Sequence, residues 1–506
     1  MNRARKRPKD ASTFIGTIPL RATTAQVKEI ESRFECARLL YNACLRVALD
    51  RAATMRADPG WEQATAMPRS VAGESNPART QAFRESRARH GFGEWPLKSA
   101  ASRLRVGWLR EKVFAQEAQV LGARAYEAVN GWILGRRGRP RFKGKGHGLH
   151  SLACNDLYGA LRISPDGSGL QWGAGFVLPF AFDHSSPYQW WTAAHVGAGR
   201  LRSCRIVRGR VRGRWVYAVQ LVLDGRPLSR YQIGGGLVGL DVGPSTVAVV
   251  TDKGWWKETF CANLDNKAAE LRQLQRRLDR QHRAGSPACF DQQGRHTTGG
   301  CRWQVHSKRA QRTQKYLSEA HRRLAEHRKS LHGNLANRIL GQGITIHTEK
   351  LSYRALQRRF GRSVGRRAPG MFMATMSRKA ASAGGMVAQV DTRTTRLSQR
   401  CVCGAVQRKP LSQRIHRCGC GVEADRDVFA AFLVRQVDPR IHPHLLDVDG
   451  ARSALPMLQD PGAGRRRAVF NRRVPQAVPV GYGATRQSRS AESPQSAADA
   501  HQGEVA

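Results

Sequence analysis

The stretch LVGLDVGPSTVAVV, Leu237–Val250, sets an acid in the middle of an apolar run. A carboxylate in such a place is costly to bury unless it is paired or bound to a metal, so Asp241 asks for a cation. A buried Asp that caps a turn looks much the same in isolation. Gly243, two residues on, allows a backbone or a phosphate to approach closely. The reading therefore turns on whether other carboxylates reach the same point. GITIHTEKL, Gly343–Leu351, is a short β-run carrying Glu349 at its end. VEADRDVFAAFLVRQV, Val422–Val437, reads as a helix opened by Asp425 and Asp427. A surface Glu at a strand end is the plainer reading of the first. Acids favoured by the macrodipole in a first helical turn are the plainer reading of the second.

Asp241, Glu349 and Asp427 stand at strand, strand and helix positions, each inside or beside an apolar run. An RNase H-like sheet brings such positions together. Hard oxygen ligands of this kind bind Mg²⁺. Two such ions, roughly 4 Å apart, support phosphodiester cleavage. No Ser-His-Asp arrangement and no phosphate-binding Gly-Lys loop competes.

Composition points to the substrate class. The chain has 506 residues, with 85 Lys plus Arg against 38 Asp plus Glu, a formal charge of +47. That length carries roughly three or more domains, and that charge attracts polyanions. Most of the cations are Arg, spread over the whole length, which suits bidentate phosphate contacts along an extended track. A GC-rich genome inflates Arg but does not explain the shortage of acids. No apolar run is long enough to span a membrane, and the N-terminus lacks the apolar segment of a secretory signal. The expected location is the cytoplasm, associated with the nucleoid.

Eleven cysteines in such a setting argue for thiols or metal rather than disulfides. Cys401, Cys403, Cys418 and Cys420 form two knuckles separated by a basic loop, a set that suits one tetrahedral Zn²⁺. Each knuckle is C-x-C, one residue shorter than the usual C-x-x-C, and His416 is a possible substitute ligand. Cys289 and Cys301, near His282 and His296, have the ligand types but no familiar spacing.

Along the chain, ASTFIGTIPL, Ala11–Leu20, reads as a strand. A helix follows from about Thr24, with Thr23 and Gln26 at capping-box spacing. Val27, Ile30, Phe34, Ala37, Tyr41, Cys44 and Ala48 make its apolar stripe. Residues 57–95 read as loop, and a second helical region runs from about Leu97 to Leu134. In GRRGRPRFKGKGHG, Gly135–Gly148, the cations Arg137, Arg139, Arg141, Lys143 and Lys145 alternate with glycines around Phe142. Flexible backbone, dense charge and an aromatic suit a phosphate backbone and a stacked base. A solvated linker is the alternative. Residues 151–228 read as a small β-barrel whose Tyr188, Trp190 and Trp191 belong to its core. Two helices, about 264–281 and 305–340, carry Leu317, Leu324 and Leu331 at heptad spacing. RRFGRSVGRRAPG, Arg358–Gly370, reads as a basic loop, and MVAQVDTRTT as a strand. The tail from about residue 439 reads as disordered.

The blocks LVGLDVGPSTVAVV, ITIHTEKLSY, TTRLSQRCVCG, RCGCGVEADRDVFAA and RPRFKGKG together resemble the TnpB proteins, transposon-encoded nucleases related to the compact type V CRISPR effectors. The resemblance spans Ser12 to Val437. It implies that Asp241, Glu349 and Asp427 are the RuvC acids, that the cysteine finger helps handle target nucleic acid, and that the N-terminal β and helical parts are wedge and recognition lobes. Where that family usually has D-x-N-A-A, this chain has DVFAA, with Phe429 at the Asn position. The expected fold is α/β: a RuvC/RNase H-like nuclease domain with a zinc-ribbon insert, preceded by a β-barrel wedge domain split by a helical lobe. The expected units are 1–22, a basic leader and first wedge strand; 23–134, the helical lobe; 135–232, the basic loop and barrel; 233–438, the nuclease domain, with a helical pair at 264–340 and a ribbon at 398–424; and 439–506, the tail. The implied activity is RNA-guided, Mg²⁺-dependent DNA cleavage, with guide RNA and target DNA as partners and two Mg²⁺ and one Zn²⁺ as cofactors. A nuclease-inactive RNA-guided DNA-binding protein is the alternative, and a DNA-joining transposase a more distant one.

Overall fold

The computed structural model describes residues 12–145, 148–154, 160–229, 231–262, 264, 267–297, 307–410, 412–437 and 446–459. The basic leader up to residue 11, Cys301 and the tail beyond 459 lie outside them. The first strand, Thr13–Leu20, alternates exposed and buried positions, sending Phe14, Ile18 and Leu20 inward. It pairs antiparallel with Arg214–Asp224, some two hundred residues later in the chain, which pairs with Leu201–Val211 and, through it, Ser151–Cys154. Between its first and second strands the chain leaves this sheet to build the helical lobe. Leu161–Ile163, Gly169–Trp172 and Val177–Pro179 form a separate three-stranded meander. Among the described residues the β region is thus two sheets, joined by an isolated bridge between Leu20 and Phe180 rather than closed as one barrel.

The long helix Thr24–Arg56 begins with the expected capping box. Thr23 Oγ1 accepts from the Gln26 amide at 3.3 Å, and Gln26 Oε1 accepts from the Thr23 amide at 2.9 Å. Its stripe from Ile30 to Ala48 is buried, while Val27 is only partly so. The expected loop at 57–95 is corrected: it contains helices Pro59–Ala66 and Pro77–Arg89 and the start of Glu94–Leu104. Asp58 and Asn76 cap the first two, and each is followed by a proline at the first helical position. Proline there costs no hydrogen bond and presets φ, so it marks a start rather than a break. The second helical region divides at Gly107, whose φ is +54°. Tyr188 and Trp190, expected in a core, are exposed on the helix Pro187–Gly197, and only Trp191 of the three packs inward.

The second half is built on a five-stranded sheet in the order Gly254–Thr259, Thr246–Thr251, Gly236–Val242, Gly343–Glu349, Met386–Val390. The first three strands pair antiparallel; the last two join in parallel. Between Gly254–Thr259 and Gly343–Glu349 come the helices Ala268–Gly285 and Lys308–Leu340, packed on each other through Leu278, Leu317 and Leu324 among others. The amide of Arg212, at the tip of the N-terminal hairpin, donates to Glu319 Oε2 at 3.2 Å and ties the two halves together. Cys289 is disulfide-bonded, which corrects the expectation of free or metal-bound thiols there. The stretch read as a basic loop is the helix Tyr353–Arg367, followed through a left-handed Ala368 by Pro369–Ala383. Its glycines do not prevent a helix whose Val364 and Arg367 are buried, with Arg367 Nε donating to the Phe260 carbonyl at 2.8 Å. No helix among the described residues is long and apolar enough to cross a membrane.

Residues 446–459, expected within a disordered tail, form the short helices Val448–Ala454 and Pro456–Gln459. Leu446 and Ala451 are buried in the same core as Phe429 and Phe432, with Val448, Leu455 and Leu458 packed around them. The sparse apolar residues lack a long period, yet they have a hydrophobic face to dock on. Burying one Leu is worth about 1.5–3 kcal/mol. A chain ending at Val437 should therefore unfold several degrees lower, at about 2–4 °C per kcal/mol for a domain of this size. Thermal unfolding monitored by circular dichroism checks this, and an unchanged midpoint would show that 446–459 does not pack.

Candidate active site

Asp241 lies near the end of the central strand, and Glu349 ends its parallel neighbour. The pairing runs through Leu240 and Thr348, so Asp241 and Glu349 occupy the next position in register. Asp427 comes from the first turn of the helix Arg426–Arg435, which packs across the three strands Gly236–Val242, Thr246–Thr251 and Gly343–Glu349. That crossing needs Gly239: a Cβ there would collide with the Ala431 carbonyl oxygen. Arg435 fastens the far end of the helix by donating from Nε to the Leu237 carbonyl at 3.2 Å. Gly243, singled out from sequence, does a smaller job, its amide closing a turn onto the Thr246 carbonyl at 2.9 Å.

The negative charge at this point is only partly compensated, by Lys257 on Asp427 and more weakly by Arg426. Burial, followed by the negative charges of Glu349 and Asp427, raises the Asp241 pKa well above the ordinary carboxylate range. Burial pushes Glu349 up to about 7, against a weaker pull from Arg426. Three carboxylates that repel one another are a place where a divalent cation is favoured. Their oxygens are nevertheless not drawn into one tight cluster: among the described residues, only the cysteines bring three or more ligand atoms within 4.8 Å of one another.

Asp425 and Asp427 have different work. Asp425 Oδ1 caps the helix, accepting from the amides of Asp427 at 3.0 Å and Val428 at 3.2 Å. Asp427 Oδ2 accepts from Thr246 Oγ1 at 3.2 Å and pairs with Lys257 Nζ at 2.8 Å. Lys257 also reaches both oxygens of Asp425, at 2.8 and 3.0 Å. Lys257, Thr246 and Gly239 were missed in the sequence. Strand alternation alone could have put Lys257 on this face, through its pairing with Ala248 and that residue's pairing with Asp241.

The four cysteines converge. Cys401 and Cys420 Sγ are 3.6 Å apart, and Cys403 and Cys418 Sγ 3.5 Å. Each knuckle has the same backbone. The amides of Cys401 and Cys418 donate to Ala405 and Val422, and those of Gly404 and Gly421 return to Cys401 and Cys418. Gly404 and Gly421 have φ of +89° and +87°. The glycine after each C-x-C supplies the left-handed turn, so the short spacing still aims both thiols inward. This set of four soft donors fits a tetrahedral Zn²⁺. His416 is not one of them, which corrects its candidacy as a substitute ligand. Its Nδ1 accepts from Lys409 Nζ, and its ring stacks on Phe429 at 4.2 Å between centroids. Burial and Lys409 hold its pKa down to about 4, so the ring is neutral and lies flat against an apolar partner.

Residues 370–434 match the family model described as Cas12f1-like, TNB domain. That segment holds the four cysteines, the knuckles and Asp427. Among solved structures, the chain resembles a Cas12f1–sgRNA–target DNA complex at 12% identity and a TM-score of 0.42, covering 85% of this chain and 100% of that one. A CRISPR-Cas12f ternary complex is similar at 12% identity and a TM-score of 0.28, covering 84% and 98%. No curated protein matches the chain significantly.

The basic loop is tied to the long helix Thr24–Arg56. Arg137, Arg139, Arg141, Lys143 and Lys145 are all exposed, and Phe142 is 47% exposed with Arg46 over its ring at 5.5 Å. The backbone is strapped down: Arg38 Nη1 and Asn42 Nδ2 donate to the Lys143 carbonyl at 2.7 and 3.0 Å. The side chains thus face solvent, from a main chain anchored at Lys143.

The raised pKa of Glu349 has a stability consequence. The folded state holds this proton more tightly than the unfolded chain, so its contribution falls as pH rises from the usual carboxylate range to about 7. The expected penalty at higher pH is on the order of 2–3 kcal/mol. In chelator, Glu349→Gln should melt above wild type at pH 8 and no higher than it near pH 4. Mg²⁺ should raise the wild-type midpoint more than the variant's. Calorimetry at both pH values decides this, and a variant less stable than wild type in chelator at pH 8 would refute it.

Proposed function

We propose that this protein is an RNA-guided, Mg²⁺-dependent DNA endonuclease of a transposon, with a RuvC-type site made of Asp241, Glu349 and Asp427. The observation that carries the reading is the arrival of three mutually repelling carboxylates from two adjacent parallel strands and a helix start. Hard oxygen donors of this kind fit Mg²⁺. Divalent ions bound there would supply Lewis-acid activation of water and stabilisation of the departing oxygen. The chain's own residues set the stage for that. Gly239 sets how deeply the helix sits, Asp425 fixes its first turn, and Thr246 and Lys257 orient Asp427. The match of 370–434 to a Cas12f1-like domain supports the reading, because it falls on the ribbon and the third acid. The ribbon's proposed role is to bind one Zn²⁺ and help hold target nucleic acid.

The guide is proposed from charge. A balance of +47, largely on exposed Arg, exceeds what a short DNA site neutralises. A structured RNA offers the A-form backbone that proteins read by shape and phosphate position. Sequence choice would then rest mainly with base pairing and a short flanking motif.

With its guide, the purified protein should cut matched DNA in Mg²⁺ and stop in chelator. Asp241→Ala, Glu349→Ala and Asp427→Ala should each lower cutting by about a thousandfold or more, the loss expected for several kcal/mol of metal-assisted stabilisation, while DNA binding persists. Full cutting after RNase treatment would leave an unguided endonuclease, and binding without any cutting would leave the DNA-binding alternative. Replacing Arg139, Arg141 and Lys143 by Ala should weaken RNA binding and reduce its salt slope by about two to three. Filter binding across a salt series measures both, and an unchanged slope would remove the loop from the interface.

A further inference from the structure

Among the described residues, Lys257 forms ion pairs with two acids of the site region at once. It lies on the strand Gly254–Thr259, opposite Ala248, which is itself opposite Asp241. Residues directly paired across antiparallel strands share a face, so Asp241, Ala248 and Lys257 form a row beneath the helix that carries Asp427. Ala248 is small and fully buried, and the lysine stem passes it to reach the helix start. There Nζ lies 2.8 Å from Asp427 Oδ2 and 2.8 and 3.0 Å from the two oxygens of Asp425. The lysine side chain is 23% exposed, so water reaches it.

We infer that Lys257 is a tethered placeholder cation, occupying the third acid until a divalent ion takes Asp427 and leaves the ammonium on Asp425. This rests on the nuclease reading of Asp241, Glu349 and Asp427. Three features carry it. Asp425 and Asp427 share a single ammonium, so Lys257 keeps a partner when Asp427 is taken. Asp425 is held in place by its helix-capping bonds independently of Lys257, so that second seat persists. Thr246 Oγ1 continues to hold Asp427 Oδ2 after the lysine leaves, so the carboxylate keeps its orientation. A positive charge within hydrogen-bond reach of a ligand opposes a divalent ion by more than the rotamer freedom it removes, because charges a few ångströms apart in a partly dry site interact by several kcal/mol. Removing it should therefore tighten metal binding, although it deletes two ion pairs.

The test uses the zinc-loaded full chain without nucleic acid and follows Mn²⁺ binding by electron paramagnetic resonance, with the site signal defined as the part lost in Asp241→Asn. Lys257→Met should bind Mn²⁺ at least about tenfold more tightly than wild type, and Lys257→Arg within about threefold of it. Asp425→Asn keeps a good helix cap but takes away the lysine's second seat, and it should bind Mn²⁺ more weakly than wild type. The Lys257→Met change should also lower the melting point of the zinc-loaded chain without added Mn²⁺ and enlarge the rise on adding it. Wild-type binding that Lys257→Met leaves unchanged or weakens would overturn the placeholder role alone. A wild type that binds no Mn²⁺ at the acids would overturn the nuclease reading and this inference with it. Should Lys257→Met fail to fold, Asp425→Asn decides, and Mn²⁺ binding as tight as wild type or tighter would refute the proposal.

Discussion

The helix Arg426–Arg435 reaches the sheet only because position 239 carries no side chain. Its backbone passes close enough that the Ala431 carbonyl takes the space a Cβ would need, and Arg435 would crowd the same atom. Ala430 and Ala431 keep the helix side of this contact thin, while Val428, Phe432 and Leu433 fill the space around it. Interiors are packed to crystal-like density, so a displacement here would not be absorbed locally. The distance from Asp427 to the strand acids is therefore set by a glycine two residues before Asp241.

The site is also a local exception to the charge of the chain. A protein with 85 basic residues places four acids, Asp241, Glu349, Asp425 and Asp427, around one point and gives them few close cations. Most of the arginines stand outside, on helix surfaces and on the loop around Phe142. At physiological ionic strength their field is screened beyond about 8 Å, so they draw nucleic acid to the surface without neutralising the acids. Lys257 and Arg426 are the exceptions: Lys257 pairs with the two acids at the helix start, and Arg426 pulls weakly on the strand pair.

The cysteine ribbon and the third acid belong to one packed unit. Cys401, Val402 and Val422 share a core with Val428, Phe429 and Phe432. Phe429, two residues after Asp427, is stacked on His416, two residues before Cys418. A folded ribbon thus presses on the first turn of the helix that carries the acid. The residue that departs from the D-x-N-A-A pattern fills this joint, with 1% exposure.

The sequence by itself marked the candidate acids and cysteines and determined the first strand, the capped long helix and the central strands, because each is a local pattern. An acid in an apolar run, two thiols around one residue, and alternation with period two need no knowledge of distant partners. It misread what depends on context. Residues 57–95 read as loop although Asp58 and Asn76 start helices there, and 358–370 read as a loop because its packing partners lie elsewhere in the chain. Residues 446–459 lacked a period of their own and became ordered on a face built by Phe429 and Phe432. Only the tertiary structure decided that Asp425 caps while Asp427 faces Asp241, that His416 stacks instead of ligating, and that Lys257 lies between. The Lys257 contacts join side chains some 170 residues apart in sequence at 2.8 Å, and no local preference encodes a contact that exists only after the sheet has closed its register.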